Sequence, residues 1–364
     1  MKVAFLQGTL EKGGAEIMTF ELAKRLAEKK IETSVISLRS TGDLAQNYQE
    51  TGVSVFSGLL KYKFDIFALR RLHKLLTELE PDFLVVVDPL KNSLSMLGMV
   101  FRSVKKRPAT FLWSHSTPGG QMGQFISRVK KAQNRWLDKI ICISMVQKEI
   151  YQQAGILSGK IEVINNGIEV ERFKKCAIKS LEFSRDKKFK FVQVANVMPD
   201  KDFATLFDAC KLLKDHKLDF EISLVGRGSD DKSFLETIPE NLPIKCLGPR
   251  ENIPEILSCA DGFVLASKSE VQSVSTLEAM VAGLAVIVPN LPSFYEICTD
   301  NFDSLKYQPA DPHDLSLKMQ KLITDRKLAD DLAVNAVKTG LKFSAEKMSE
   351  KFIELFRISE QKNC

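Results

Sequence analysis

Residues 269–283 read Ser-Glu-Val-Gln-Ser-Val-Ser-Thr-Leu-Glu-Ala-Met-Val-Ala-Gly, with carboxylates at Glu270 and Glu278. The apolar run 262–266 before this stretch predicts a short buried strand, and apolar residues at helical spacing over 277–281 predict a helix. Because a helical turn takes about 3.6 residues, Glu278 lies about two turns beyond the loop that holds Glu270. Such a strand–loop–helix unit is typical of an α/β fold.

The loop between the two carboxylates supplies backbone amides as well as acids. The amides of Ser273, Val274 and Ser275 open the predicted helix, and a helix N-terminus is a ready site for an anion. Two carboxylates on either side of a phosphate site suit a ligand with hydroxyls at both ends and phosphates in the middle, such as a nucleotide-sugar. The alternative is a solvated helix that carries two surface acids.

Residues 269–283 resemble the retaining glycosyltransferases of the GT-B fold, in the glycogen-synthase-like family 4 (group 1), and so does the following run 283–289 with Glu296. The resemblance implies that Glu270 binds hydroxyls of the donor sugar and that Glu278 binds the nucleotide ribose. It also implies two Rossmann-like, doubly wound parallel-sheet domains that face a central cleft. The first domain would bind the acceptor and the second the nucleotide-sugar.

Composition favours an ordinary globular protein with two domains, since the chain has 364 residues, 44% of them hydrophobic and 27% charged. No apolar run approaches the roughly 18 residues of a membrane helix, and the apolar N-terminal run is too short for a signal peptide. The seven cysteines are scattered without paired spacing, which is typical of reduced cytoplasmic proteins. No metal-ligand cluster is evident, so neither a metal nor a cofactor is expected.

Strands alternate with amphipathic helices along the whole chain, which predicts βαβ units and parallel sheets. In the helix predicted over 15–28, Ile17, Phe20, Leu22 and Leu26 are expected to face inward. The predicted strands are 3–6, 33–38, 83–87, 110–113, 139–143, 161–164, 189–194, 220–225, 244–247, 262–266 and 285–288. Further helices are predicted at 203–214, 253–259 and 345–359.

The polar, aperiodic segment 173–188 is interpreted as a linker between the domains 1–172 and 189–344. A C-terminal helix within 345–364 is expected to pack back toward the first domain. Residues 1–180 carry a net charge of +11 and the remainder −5, which suggests that the two domains meet different partners.

Two features of the first half follow predicted strands. Gly13 and Gly14, in Gly-Gly-Ala-Glu, let the backbone approach a phosphate or a neighbouring loop closely, although a plain turn is an alternative. They do not form the Gly-x-Gly-x-x-Gly fingerprint, which disfavours NAD. His115 lies at the carboxyl end of the strand 110–113, where doubly wound sheets place chemistry, although a lone histidine is often structural. The resemblance places the glycines near the donor phosphates and His115 near the reacting carbon of the sugar.

Lys201 follows the first strand of the second domain, where a cation can pair with a diphosphate. The resembling family has an arginine five positions before this lysine, and here Asn196 replaces it, a neutral and therefore weaker donor. Arg227 and Arg250 are candidates to restore the missing charge. Asn252 lies in the segment 247–254 that resembles the family's base-reading loop, where the family usually has Asp.

Basic stretches at 102–107 and 128–135 flank the apolar segments 94–101 and 125–129. Basic charge beside apolar residues suits docking on an anionic membrane, and a solvated helical face is the alternative. Nucleic acid is disfavoured because no nucleic-acid-binding motif accompanies the charge.

The sequence therefore predicts a retaining glycosyltransferase in which His115, Lys201 and Glu270 serve catalysis. A UDP- or GDP-sugar is the expected donor, and a glycan or lipid-linked molecule of cell-surface polysaccharide or glycolipid synthesis is the expected acceptor. The expected location is the cytoplasm, with peripheral binding to the inner face of the membrane. The alternatives are a sugar-nucleotide epimerase of the same fold and a non-catalytic, membrane-associated sugar-nucleotide-binding protein.

Overall fold

The computed structural model describes residues 1–39, 42–62, 65–88, 93–102, 106–115, 122–174 and 188–361, and only the backbone of 93–95 and 122–124. The chain divides into two compact units, one of Met1–Gly167 with Ala345–Cys364 and the other of Ile168–Ser344. The linker predicted at 173–188 lies mostly outside the described residues.

The first unit is built on a parallel sheet of seven strands in the order β3-β2-β1-β4-β5-β6-β7. Its strands are β1 (Lys2–Gln7), β2 (Glu32–Ser37), β3 (Ser54–Phe56), β4 (Phe83–Val87), β5 (Ala109–Ser114), β6 (Lys139–Cys142) and β7 (Ile161–Val163). The helices between them are α1 (Gly14–Glu28), α2 (Leu44–Gln49), α3 (Ala68–Leu79), α4 (Ser93–Val100), α5 (Met122–Gln133) and α6 (Met145–Gln153).

The second unit repeats this arrangement with six parallel strands in the order β10-β9-β8-β11-β12-β13. Its strands are β8 (Phe189–Val194), β9 (Phe220–Val225), β10 (Ile244–Gly248), β11 (Gly262–Val264), β12 (Ala285–Pro289) and β13 (Leu305–Tyr307). Its helices are α7 (Phe203–Asp215), α8 (Lys232–Leu235), α9 (Ile253–Ser258), α10 (Val274–Val281), α11 (Pro312–Thr324) and α12 (Arg326–Gly340). Helix α13 (Ala345–Gln361) follows and belongs to the first unit.

Both sheets have the Rossmann strand order, in which the chain works outward from a central strand and then returns to its other side. Central strands such as β4, Phe-Leu-Val-Val-Val, and β12, Ala-Val-Ile-Val-Pro, are buried at every residue. Continuous apolar runs are expected for parallel strands, because helices cover both faces of the sheet. The predicted class, two doubly wound parallel sheets, is confirmed.

The sequence prediction was wrong at two strands and at one inward residue. Strands β3 and β13 were not predicted; each has three residues and lies at the edge of its sheet, where pairing on one side leaves a weak hydrophobic signal. Ile17 was expected to face inward, but it is 38% exposed, whereas Leu22 and Leu26 are fully buried.

Helix α13 completes the aromatic core of the first unit. The ring of Phe356 lies 4.7 Å from Phe83 and 5.7 Å from Phe111, and Phe352 packs 4.8 Å from Trp113. An ion pair between Lys29 and Glu346, at 2.6 Å, ties the same helix to the end of α1. The last helix is therefore structural for the first unit.

Replacing Phe356 by Ala is expected to destabilise the first unit by about 3–5 kcal/mol, because a buried aromatic ring is lost and a cavity remains. The measurement is urea unfolding followed by circular dichroism. Ile358→Ala, at a 43% exposed position of the same helix, is the control and should change the free energy of unfolding by less than about 0.5 kcal/mol. Equal midpoints for the two variants would show that α13 does not complete this core.

Candidate active site

The carboxyl edge of the second sheet brings together two residues that are 69 positions apart. Lys201 follows β8 and Glu270 follows β11, and the two side chains form an ion pair. Strands β8 and β11 are neighbours at the point where the strand order reverses, which is where doubly wound sheets bind ligands.

Backbone hydrogen bonds join the loops that carry this pair. Lys268 N–H donates to the carbonyl of Asp200 at 2.8 Å, and Asp202 N–H donates to Ala266 at 3.0 Å. The hydroxyl of Ser267 donates to the carbonyl of Asp200 at 3.1 Å. The backbone hydrogen bonds therefore fix the two loops relative to each other. They hold the Lys201 and Glu270 side chains close together.

The Lys201–Glu270 pair is mostly removed from solvent, with side-chain exposures of 16% and 11%. Removing one member of a buried pair leaves an uncompensated charge, so the two groups stabilise each other. Such a pair can offer a cation to a diphosphate and a carboxylate to sugar hydroxyls within one small region. This is the combination that the sequence predicted for a nucleotide-sugar.

Helix α10 begins at Val274, a short loop beyond Glu270, and is capped by Ser273. The Ser273 hydroxyl oxygen accepts a hydrogen bond from Thr276 N–H at 3.3 Å and one from the Thr276 hydroxyl at 2.8 Å. Ser273 has a φ of −82°, an ordinary extended conformation, so the loop does not require glycine at this position. The amides of Val274 and Ser275 lie in the first turn, where helix amides have no partner within the helix, and Glu278 lies one turn further on, half-buried.

Asn196 holds the neighbouring loop in place. Its side-chain oxygen accepts a hydrogen bond from the backbone N–H of Arg227 at 2.9 Å, and Val197 N–H donates to the Arg227 carbonyl at 2.8 Å. Gly226 has a φ of +145° and lies so close to the Ala195 carbonyl that a Cβ would collide with it. Arg227 is exposed on this fixed turn, and an arginine at position 196 could not accept the bond from its N–H.

Arg250 and Asn252 lie further from the ion pair. Both are exposed and follow β10, which is separated from β8 by β9 and hence by about 10 Å. Asn252 is the N-cap residue of α9, but its side chain makes no capping hydrogen bond. Arg227 and Arg250 are the two candidates for the positive charge that Asn196 lacks. Arg227 is on the loop next to the ion pair, and Arg250 is not.

In the first unit, Gly13 and Gly14 open α1 after β1. A Cβ on Gly13 would collide with the carboxylate of Glu16, whereas a Cβ on Gly14 would meet no atom within 4 Å. The absence of a side chain at Gly13 therefore leaves room for the Glu16 carboxylate at the helix N-terminus, a position that favours negative charge. Gly14 leaves open space beside it.

His115 lies at the carboxyl end of β5 and is positioned by an aspartate that the sequence analysis missed. Asp88 directly follows β4, its carboxylate accepts a hydrogen bond from the backbone N–H of His115 at 2.8 Å, and its φ is +32°, a strained value for a residue with a side chain. The imidazole lies 4.4 Å from the Trp113 ring, and its buried Nε2 makes no hydrogen bond within the described residues. A polar residue directly after the apolar strand 83–87 was the available signal for Asp88.

Two family models match the two halves of the chain. The model for glycosyltransferase family 4 matches residues 12–172, and the model for glycosyl transferases group 1 matches residues 177–339, which includes Lys201, Glu270 and Glu278. The chain belongs to the group 1, family 4 type of glycosyltransferases.

Curated relatives of this glycosyltransferase include one protein that matches nearly its whole length. It is 24% identical over 374 residues to the N,N'-diacetylbacillosaminyl-diphospho-undecaprenol alpha-1,3-N-acetylgalactosaminyltransferase of Campylobacter jejuni, with 96% of this chain and 97% of that protein covered. It is 25% identical to the UDP-Gal:alpha-D-GlcNAc-diphosphoundecaprenol alpha-1,3-galactosyltransferase of Escherichia coli, over 68% of this chain and 75% of that protein.

Solved structures with the same fold include HepE of Anabaena in complex with UDP-glucose, with a TM-score of 0.82 and 17% identity over 98% of this chain and 99% of that one. The sucrose-phosphate synthase of Thermosynechococcus elongatus has a TM-score of 0.79 and 16% identity over 99% and 100% of the two chains. These likenesses show that the glycosyltransferase has the GT-B fold that its sequence predicted.

Metal-binding side chains do not cluster in the part of this glycosyltransferase that the structure describes, where no three His, Cys, Asp or Glu residues could jointly hold an ion. Within the same ranges, no helix combines the length and the apolar composition needed to cross a bilayer.

The stability of the first unit is expected to depend on pH through His115, because burial lowers the pKa of its imidazole from 6.5 to about 3. The unfolded chain takes up a proton below pH 6.5 and the folded chain does not, so the stabilisation is complete above pH 6.5 and is lost as the pH falls toward 3. Between pH 7.5 and 5.5 the wild type should lose about 1.4 kcal/mol relative to His115→Gln, since one pKa unit is worth about 1.36 kcal/mol. Denaturant unfolding at both pH values measures this difference, and a constant difference would contradict it.

Proposed function

We propose that this glycosyltransferase moves a sugar from a UDP-sugar, with retention of configuration, to a lipid-linked diphosphate acceptor in the synthesis of a cell-surface polysaccharide or glycolipid. The observation that carries the proposal is the Lys201–Glu270 pair at the strand-order reversal of the second sheet, next to the N-terminus of α10. HepE, of the same fold, has been solved with UDP and with UDP-glucose, which supports UDP over GDP. The two relatives named above have acceptors linked to undecaprenol through a diphosphate, which supports a lipid-linked acceptor.

In this proposal the donor diphosphate lies against Lys201 and the first amides of α10. Cleavage of the bond between the anomeric carbon and the phosphate oxygen leaves negative charge on the diphosphate, and fixed donors stabilise that charge without reorganising. Arg227, on the turn held by Asn196, supplies a further cation at the same edge. Because the lysine and the amides supply the positive charge, we propose that the reaction requires no metal ion.

Glu270 and Glu278 would position the two ends of the donor. Glu270 accepts hydrogen bonds from sugar hydroxyls and Glu278 accepts them from the ribose, so the anomeric carbon is held at a fixed place. The acceptor hydroxyl attacks from the face that the diphosphate leaves, and its proton passes to a departing phosphate oxygen. His115, neutral because of its low pKa, can exchange a hydrogen bond with the sugar through Nε2 without adding charge.

We further propose that the enzyme works at the inner face of the cytoplasmic membrane. The excess of basic residues in the first half of the chain supports attraction to anionic lipids. Within the apolar segments 94–101 and 125–129, Leu97, Val100, Ile126 and Val129 belong to the core of the first unit, whereas Met99 is 50% exposed. We therefore propose that the attraction is mainly electrostatic, with a smaller apolar contribution from Met99.

Donor binding is the first test. Among a panel of nucleotide-sugars, a UDP-sugar at 100 times its dissociation constant should stabilise the protein by about 2.7 kcal/mol. Glu278→Gln should weaken that binding by about 1.5–3 kcal/mol in calorimetric titration, because the ribose hydroxyls then donate to a neutral amide oxygen and no longer to a charged carboxylate. The exposed Glu236→Gln of the same unit is the control and should leave the affinity unchanged. A Glu278→Gln protein that binds like the wild type would remove Glu278 from the donor site.

Transfer itself is tested with Lys201. Lys201→Ala should lower turnover by about 100-fold or more, as when other preorganised donors are removed. Lys201→Arg keeps the ion pair with Glu270 and should retain partial activity, since the two cations differ in shape. Lys268→Ala, from the joined loop, is the control.

The readout is sugar transfer from a UDP-sugar to a lipid-diphosphate acceptor in detergent, with and without a chelator. Isomerised donor without transfer would indicate an epimerase, and binding without turnover would indicate a non-catalytic protein. Normal turnover of Lys201→Ala would place the donor phosphates elsewhere.

A further inference from the structure

The first unit contains a cavity of about 680 Å³ where helices α4 and α5 end. We name it the basic cavity, because five of its lining residues are cations, and they come from both basic stretches of the sequence: Arg102, Arg107, Arg128, Lys131 and Arg135. The two stretches are separated along the chain by strand β5 and the first half of α5, so the fold, and not sequence proximity, brings the cations together.

Aromatic packing fixes the floor of the basic cavity. The buried Trp136 ring meets Phe101 edge-on at 5.4 Å, and a Cβ on Gly98 would lie 3.1 Å from the Trp136 indole nitrogen. Arg107 donates hydrogen bonds to the Trp136 carbonyl and to both carboxylate oxygens of Asp138, at 2.7 and 3.1 Å. The floor is therefore a rigid apolar surface.

The charge of the basic cavity is only partly balanced. Asp138 offsets Arg107, whereas Arg102, Lys131 and Arg135 are exposed and form no ion pair with any residue that the structure describes. Among those residues, no carboxylate lines the cavity. Like charges around one concave surface raise the local potential and attract an anion.

Other basic residues of the same stretches face elsewhere. The Lys106 ammonium lies 3.6 Å from the Asp82 carboxylate, and the Lys130 ammonium lies beside Gly155, 3.2 Å from where a Cβ would stand. In a diffuse basic patch, all these charges would contribute about equally to the binding of an anion. In a binding cavity, only the charges that line the cavity would contribute.

The basic cavity lies away from the proposed sites in the same unit. Arg107 precedes β5 and Trp136 precedes β6, so the cavity is at the edge where the strands begin. Gly13 and His115 follow the carboxyl ends of their strands, at the opposite edge of the same sheet. A ligand in the cavity would therefore not compete for those positions.

We propose that the basic cavity binds the headgroup phosphate of an anionic phospholipid and anchors the first unit to the membrane. Arginine binds phosphate oxygens in a bidentate manner, and three unpaired cations suit an anionic headgroup. Met99, 50% exposed, lines the cavity together with Phe101 and Trp136, which gives the first carbon atoms of the lipid an apolar neighbour that a free phosphate ion would not use. This inference rests on the proposed action on a lipid-linked acceptor.

Vesicle binding by two triple variants of equal charge tests the inference. The cavity variant carries Arg102→Ser, Lys131→Ser and Arg135→Ser, and the control carries Arg70→Ser, Lys106→Ser and Lys130→Ser, all exposed positions of the first unit. Co-sedimentation uses vesicles of phosphatidylcholine with about 30% phosphatidylglycerol, and vesicles of phosphatidylcholine alone, with salt varied from low to high.

Binding of the cavity variant to the anionic vesicles should fall on the order of 100-fold, since each cation near such a surface contributes about 1 kcal/mol, or roughly fivefold. The control variant should fall far less.

Equal losses in the two variants, or no loss in either, would overturn the proposal in favour of a diffuse field or of no membrane contact. Stabilisation of the wild type by inorganic pyrophosphate that the cavity variant lacks, without a difference on vesicles, would also overturn it and indicate a soluble phosphate ligand. Tryptophan fluorescence gives a second readout, because Trp136 lies in the cavity and Trp113, the chain's other tryptophan, is fully buried. UDP-sugar affinity is measured on the same variants; its absence in the wild type would count against the proposed function and not against the cavity.

Discussion

The parallel pairing of β8 with β11 is the constraint on which the candidate active site depends. Phe191 pairs with Gly262 and Val192 with Phe263, so both strands end at the same edge and the loops beyond them meet. Lys201 and Glu270 contact each other for that reason, and the hydrogen bonds between their loops then fix the contact. The strand order also reverses here, which leaves space at the edge because the connecting helices lie on opposite faces.

The same constraint acts in the first unit with different residues. There β1 and β4 are the neighbours at the reversal, and Asp88, at the end of β4, holds the backbone of His115 at the end of the adjoining strand β5. One topology thus produces two polar edges: an acid–base ion pair in the second unit and a neutral imidazole beside a strained aspartate in the first.

The sequence was sufficient for the elements with continuous apolar runs, because strands buried on both faces need them, and it failed at β3 and β13, which are short edge strands. The stretch 269–283 also predicted which residues, two glutamates and the first amides of a helix, would form the candidate site. The sequence could not give the bond from Arg227 to Asn196 or that from His115 to Asp88, because such contacts join residues about 30 positions apart only after the sheet has formed. In the apolar segments beside the basic stretches, the sequence could not separate Leu97 and Ile126, which belong to the core, from Met99, which is 50% exposed, because all three side chains are apolar.

The position of helix α13 at the end of the chain determines when the first unit can finish folding during synthesis. The second unit is one continuous segment, Ile168–Ser344, whereas the first needs Ala345 and the residues beyond it to cover the rings of Phe83 and Phe111. A ribosome adds residues at about 5–20 per second, so the first unit must remain incomplete for on the order of ten seconds or more while the second is made. During that interval an aromatic surface of the first unit faces solvent, and the unit that is synthesised first is the last to be completed.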